Sequence, residues 1–362
     1  MKKITFVLPH AGLTGGVRVT AIYAEKLKQR GYEVCVVSLP NPPLSFKDQV
    51  RSLLRGQGWR TPSVVSHFDG RDVEHRVLEA YRPIVATDVP DADVIVATWW
   101  ETAEWISQFP ASKGTKVYFI QHHEALFPGQ PADRVKATWS LPMHKIVVSK
   151  WLVDVARTAY NYQNVVLVPN SVDTKQFFAP PRRKQDLPTV GLVYVNLPWK
   201  GSDICLKAFN LAAQKVPNLR LVAFGTNLPS SNLPLPADAT YVRCPPQEQI
   251  KDLYAQCDAW LFGSRIEGFG MPLLEAMACR TPVIGTPAGA APELLRAGAG
   301  ILVNPEDPQD MARAIEQVCQ MPNQEWQAMS EAAYNRAVSY TWDDATDLFE
   351  AALHQAVEQA CV

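Results

Sequence analysis

Short apolar runs alternate with helical stripes along the chain. "ITFVLP", "EVCVVS", "DVIVATW", "KVYFIQ", "KIVVSK" and "VVLVPN" are apolar without polar alternation. That pattern fits parallel strands covered on both faces. Between the first two lies "VRVTAIYAEKLKQRG", whose apolar residues recur at helical spacing and stop at Gly31. After residue 188 the same alternation restarts with "TVGLVYV", "RLVAFG", "ATYVRC", "AWLFGS" and "TPVIGT", with "SDICLKAFNLAAQKV" as a helical stretch among them. Repeated βα winding of this kind predicts an α/β chain with two doubly wound, Rossmann-like domains. Residues 179–188, "APPRRKQDLP", are proline-rich, charged and poor in apolar side chains, and are expected to be the linker. The expected division is 1–178, linker 179–188, 189–340, and a long amphipathic helix, 341–362, packing across both domains.

Length agrees with two domains, since 362 residues exceed one ordinary core. No stretch approaches the roughly 20 apolar residues that span a bilayer. The opening "MKKITFVLPH" has too short an apolar run for a signal segment, so a buried first strand is expected. Seven cysteines are scattered with no CxxC pair, which suggests neither a disulfide framework nor a zinc site. The reading is a cytoplasmic protein with no resident cofactor. Net charge is −1, with a basic first half and an acidic second half. That asymmetry is compatible with an anionic partner on the first half, though uneven solvated surfaces explain it equally well. A nucleic-acid partner is not expected. "DAD" at 91–93 precedes a buried strand instead of ending one, so it reads as a polar strand entrance and not as a metal site. Residues 46–60, "FKDQVRSLLRGQGWR", form a basic amphipathic pattern. Such a stripe suits either a helix docked on its own domain or peripheral contact with the inner face of a membrane.

The densest chemistry lies in "RIEGFGMPLLEAMA", residues 265–278. It follows the buried strand "AWLFGS", so "RIEGFG" is expected in the loop at a strand's carboxyl end. Pro272 suits the first helical position, where its missing N–H costs nothing. A helix N-terminus offers free N–H groups and partial positive charge to a phosphate, and Gly268 and Gly270 let the backbone approach a ligand closely. Glu275, expected near the first helical turn, can accept hydrogen bonds from a ribose diol. Glu267, in the loop, is placed for a hydroxyl beyond the phosphates. A glycine turn flanked by acids that only favour the helix dipole is the plainer alternative.

The whole string resembles the E-x7-E signature of retaining glycosyltransferases of family four, which have the GT-B fold. "PNSVDTKQF", "KGSDICLKAF" and "GILVNPEDPQDMARAI" resemble three further segments of that family. The likeness is good over roughly residues 165–345 and thin before them. It implies two Rossmann-like domains facing a cleft, with the C-terminal helix crossing back. It also implies that Lys200 holds the donor pyrophosphate, that Glu275 binds ribose, and that Glu267 contacts the donor sugar. Phe269, Gly270 and Met271 would supply backbone amides, and the N–H of Leu273 would face phosphate. Where the family usually has an arginine shortly before the lysine, this chain has Asn196; that cation is then missing or supplied by Arg265. Gly16, in "AGLTGGVRV", would approach the donor phosphate, with a plain tight turn as the alternative. Of His122 and His123 in "YFIQHHEALF", one would approach the donor sugar and acceptor; the residues do not say which.

The function this implies is metal-independent, retaining transfer of a hexose, glucose by preference, from a UDP-sugar. The acceptor would be a glycan or lipid-linked glycan in polysaccharide biosynthesis. A nucleotide-sugar-binding protein without transfer activity is the alternative. An NAD-linked oxidoreductase is disfavoured because GxGxxG and its acidic partner are missing.

Overall fold

Residues 1–40, 53 and 65–360 are described by the computed structural model. The basic segment 46–60 lies, apart from Leu53, outside the described residues. No described helix is long and apolar enough to cross a membrane.

The chain divides into two units. The first comprises residues 1–148, 152–168 and 346–362, and the second 149–151 and 169–345. In the first unit the strands are β1 (Lys3–Leu8), β2 (Glu33–Ser38), β3 (Glu74–Val77), β4 (Val94–Ala97), β5 (Thr115–Ile120), β6 (His144–Val147) and β7 (Val166–Leu167). They form a parallel sheet of order β3-β2-β1-β4-β5-β6-β7. Strands β1 and β2 bury every residue but the first, as their unbroken apolar runs require. The sequence signal missed β3, whose "EHRV" is short, polar and at the sheet's edge. Helix α1 (Gly15–Gln29) begins earlier than its apolar stripe, so Gly15 and Gly16 lie in its first turn, not in a turn before it.

The second unit holds β8 (Thr189–Val193), β9 (Arg220–Gly225), β10 (Thr240–Arg243), β11 (Ala259–Phe262), β12 (Val283–Gly285) and β13 (Gly300–Leu302). Their order is β10-β9-β8-β11-β12-β13, again parallel. Both sheets are therefore doubly wound, with the strand order reversing beside β1 and β8. The second core gathers Leu192, Phe209, Leu261, Ile315 and Trp326. Trp326 is fully buried and donates its indole N–H to Asp258 O at 2.8 Å, which meets the usual demand of a buried indole.

Residues 179–188, expected as a linker, lie inside the second unit. Arg182 covers the Trp326 ring at 4.6 Å, and Lys184 Nζ donates to Cys319 O and Met321 O at 2.6 and 2.9 Å. Prolines and charges signal a lack of core residues, but here the charged heads satisfy carbonyls while their stems cover apolar surface. The last helix, Trp342–Ala360, leaves the second unit, and from Thr346 on it packs in the first. There Phe349 stacks on Tyr23 at 4.3 Å and meets Phe119 edge-on at 5.1 Å.

Candidate active site

Strand order in the second sheet reverses between β8 and β11, and a ligand crevice is expected outside their carboxyl ends. A cavity of about 150 Å³ lies there, lined by Val193, Lys200, Ser202, Phe262, Ser264 and Glu267 among others. Two loops frame it. The β8 loop passes through a short turn, Pro198–Lys200, into a helix spanning Ser202–Ala213. The β11 loop runs through Glu267 into the helix Met271–Ala278.

The loops nearly touch at Gly201 and Gly263. Gly201 has φ +65°, and a Cβ there would sit 1.7 Å from Gly263 O. Only glycine permits both that conformation and that approach. The crossing brings Lys200 Nζ to 2.7 Å from Glu267 Oε1. Ser264 Oγ donates to the same oxygen at 3.0 Å. Glu267 is only 9% exposed, so its charge is met by one cation and one hydroxyl in a largely dry setting.

Beyond Glu267 the backbone presents three consecutive amides, those of Phe269, Gly270 and Met271, that donate to none of the described residues. A trans peptide holds its C=O and N–H on opposite sides, so fixing a carbonyl aims the next amide. Gly268 O accepts from Ser149 Oγ at 2.7 Å and Trp151 Nε1 at 2.9 Å, which fixes the N–H of Phe269. Phe269 O accepts from Ala290 N at 2.9 Å, which fixes the N–H of Gly270. Gly270 O accepts from Leu273 N at 3.0 Å, which fixes the N–H of Met271. Gly270, at φ +96°, turns the chain into the helix start, where amides without a protein acceptor are of the kind that suits an anion. Two expectations change here. The Leu273 amide, assigned to phosphate by resemblance, already closes this turn. The other is Pro272, which stands second in the helix and not first, while Glu275 is fifth, just past the first turn as expected.

Glu275 is buried, and its Oε2 accepts from Tyr254 Oη at 2.8 Å. No pattern near Glu275 announced Tyr254 as its partner, because Tyr254 belongs to the helix Ile250–Ala255 on another winding of the chain. Ser264 was missed for the same kind of reason: one serine in a loop carries no periodicity.

Arg265 was a candidate to replace the missing phosphate cation. The structure commits it elsewhere. Its guanidinium takes Asp203 in a two-point pair at 2.8 and 3.0 Å and Glu306 at 2.5 Å. Hydrogen bonds to those carboxylates, Asp203 first, raise its pKa further, and the same contact lowers that of Asp203. With two anions already attached, it has little charge left for a third. Arg265→Gln should therefore leave nucleotide affinity within about twofold and cost about 1 kcal/mol or less, as partly exposed pairs do. Calorimetry and a thermal scan check this; a tenfold loss of nucleotide affinity would restore Arg265 as a phosphate ligand. Asn196 is exposed in the β8 loop.

The remaining candidates belong to the first unit. Gly16 O accepts from Gln121 Nε2 at 3.1 Å and Thr20 Oγ1 at 2.9 Å, and a Cβ at Gly16 would meet only ordinary contacts. Beyond β5, His122 lies half-buried with its ring 4.1 Å from that of Phe127. His123 is buried edge-on against Trp139, with Nε2 3.3 Å from Tyr160 Oη, and burial lowers its pKa. The next residue, Glu124, is fully buried, and desolvation pushes its pKa up to about 8. Both ring nitrogens of His122 are buried although the residue as a whole is half-buried, and His123 is walled in by aromatics. Asp91 pairs with Lys113 at 2.9 Å, and Asp93 accepts from the amides of Lys2 and Lys3, so the "DAD" acids stabilise the sheet's amino-terminal edge.

Two doubly wound parallel sheets of this order are the GT-B arrangement, and solved structures agree. Sucrose-phosphate synthase from Thermosynechococcus elongatus aligns over 99% of this chain and 100% of its own, with a TM-score of 0.75 at 18% identity. Anabaena HepE in complex with UDP and glucose aligns over 98% and 100%, also at 0.75 and 18%. At that identity the likeness establishes the fold. Residues 173–336 match the family model described as "Glycosyl transferases group 1". A D-inositol 3-phosphate glycosyltransferase of Mycobacterium avium is 34% identical over 175 residues, which is 45% of this chain and 40% of that protein. The protein of the same description from Mycolicibacterium paratuberculosis is 32% identical over 177 residues, covering 45% and 39%. The chain thus spans about two fifths of the length of these relatives. The matched residues contain Lys200, Ser264, Glu267 and Glu275.

Proposed function

We propose that the protein transfers a hexose, glucose by preference, from a UDP-sugar to a glycan or lipid-linked glycan, with retention and without a metal. The Lys200–Glu267 pair set against the three aimed amides at the second sheet's switch point carries this reading. One ammonium and three amides are then available to a leaving diphosphate as it develops charge, and such preorganised donors are usually the largest catalytic contribution in transfers of this kind. Glu275 takes the ribose and Glu267 the donor sugar. HepE, a neighbour in fold, binds UDP and glucose, which favours this donor. Glu267 serves as a positioning acceptor, and the leaving phosphate oxygen assists deprotonation of the acceptor on the same face. Polysaccharide biosynthesis in the cytoplasm, with peripheral contact at the inner membrane face, completes the proposal.

Metal independence follows from the donors named, since Lys200 and the amides meet the diphosphate themselves. UDP should bind equally well with and without EDTA in a calorimetric titration, and a large loss on chelation would refute this. Turnover is tested with UDP-glucose and a panel of glycan acceptors, reading the anomeric configuration of the product. Binding of UDP-glucose without hydrolysis or transfer to any acceptor would favour a nucleotide-sugar-binding protein instead.

A further inference from the structure

Glu267 has two donors on one oxygen, and the second has no role in the reading above. Lys200 Nζ and Ser264 Oγ both reach Oε1, at 2.7 and 3.0 Å, while Oε2 accepts from none of the described residues. Ser264 is buried. Its carbonyl is held by Thr286 Oγ1, from the end of β12, so its backbone is fixed independently of Lys200. Its hydroxyl has one proton and two acceptors within reach, Glu267 Oε1 at 3.0 Å and Lys200 O at 3.5 Å. The nearer, charged acceptor wins.

We infer that Ser264 is a positioning residue that holds Glu267 on the donor sugar once the diphosphate has drawn Lys200 away. This rests on the reading that Lys200 meets the diphosphate and Glu267 the sugar. In the free protein the ammonium and the carboxylate neutralise each other. A diphosphate carries more negative charge than one carboxylate, so it competes for Lys200 and loosens the pair. Glu267 then loses its cation in a setting that is largely desolvated, where an unanchored carboxylate turns toward water. The Ser264 hydroxyl keeps Oε1 in place and leaves Oε2 to accept from a sugar hydroxyl. The exchange requires no new contact except the ligand's own. It also makes the role of Ser264 conditional, since Ser264 matters when the sugar is present and little when UDP alone is bound.

The test measures UDP and UDP-glucose affinity, UDP-glucose turnover and melting temperature for Ser264→Ala, Ser264→Cys and Ser264→Thr. Ser264→Ala and Ser264→Cys should bind UDP within about twofold of wild type and lose about tenfold in turnover and UDP-glucose affinity, the scale of one hydrogen bond to a charged group. Ser264→Thr, which keeps the hydroxyl, should recover most of that loss. A merely structural serine would lower the melting temperature and weaken both ligands alike, and that outcome overturns the inference. So does wild-type turnover in Ser264→Ala. If Ser264→Ala does not fold, Ser264→Cys, nearly isosteric with serine, decides between the same outcomes. Failure of the wild-type protein to bind either ligand removes the donor reading itself and the inference with it.

Discussion

Glu267→Ala should nearly abolish turnover of a UDP-sugar while leaving UDP bound at least as tightly as in the wild type. The second half of that expectation comes from the ion pair. On the proposed reading the diphosphate must take Lys200 from a carboxylate 2.7 Å away. Removing the carboxylate frees the ammonium in advance, so UDP gains or is unchanged. The intact sugar nucleotide would lose the contact proposed with Glu267, a charged hydrogen bond worth about 1.5 to 3 kcal/mol, or roughly ten- to a hundredfold. Glu275→Ala behaves differently. On the proposed reading Glu275, anchored by Tyr254 at 2.8 Å, takes the ribose, so its loss should weaken UDP and UDP-glucose by the same factor. Calorimetry with both ligands separates the two acids. Equal weakening of UDP in Glu267→Ala and Glu275→Ala would refute the division of roles.

Gly201→Ala should destabilise the second unit and disable donor binding together. The new Cβ would lie 1.7 Å from Gly263 O, at a residue held at φ +65°. The left-handed conformation costs a non-glycine residue about 1–2 kcal/mol, and forcing an atom into a filled space costs about 1–3 kcal/mol. About 3 kcal/mol or more is expected in total, or roughly 6–12 °C in the melting transition of a unit of this size. Relief of the clash must push the two loops apart, which separates Lys200 from Glu267 and opens the cavity. Donor affinity should therefore fall further than stability alone explains. Gly15→Ala is the control. It lies in the first turn of α1 with open space around its Cβ position, and alanine is the better helix former. It should be neutral or slightly stabilising. A Gly201→Ala protein that melts like wild type would show that the loop crossing does not hold the site.

Most strands that were legible in the sequence are interior to their sheets and covered on both faces; "VVLVPN" and "ATYVRC", which became the edge strands β7 and β10, were legible by their apolar residues alone. β1, β2, β5, β8, β9 and β11 each appear as an unbroken apolar run within a residue or two of their ends. β3 did not, because an edge strand exposed to water needs no such run. β13 was not read as a strand, since three residues between a glycine turn and "NPEDP" give too little pattern to separate strand from loop. Residues 179–188 misled for a related reason: a charged segment that serves its own unit by satisfying carbonyls has the composition of a linker.

For the site, the sequence by itself determined the strand–loop–helix frame of 259–278, the two acids eight residues apart and the turn of Gly270. These are local properties, fixed by backbone periodicity, by the conformational freedom of glycine and by the missing N–H of Pro272. Only the tertiary structure decided which charge each group meets. Lys200 and Glu267 are 67 residues apart, Asp203 and Arg265 are 62 apart, and Arg265 and Glu306 are 41 apart. Arg265 and Lys200 are equally cationic in the sequence, yet among the described residues one is paired with two carboxylates and the other with Glu267 alone. Coulomb interaction depends on distance through space and on burial, and neither follows from spacing along the chain.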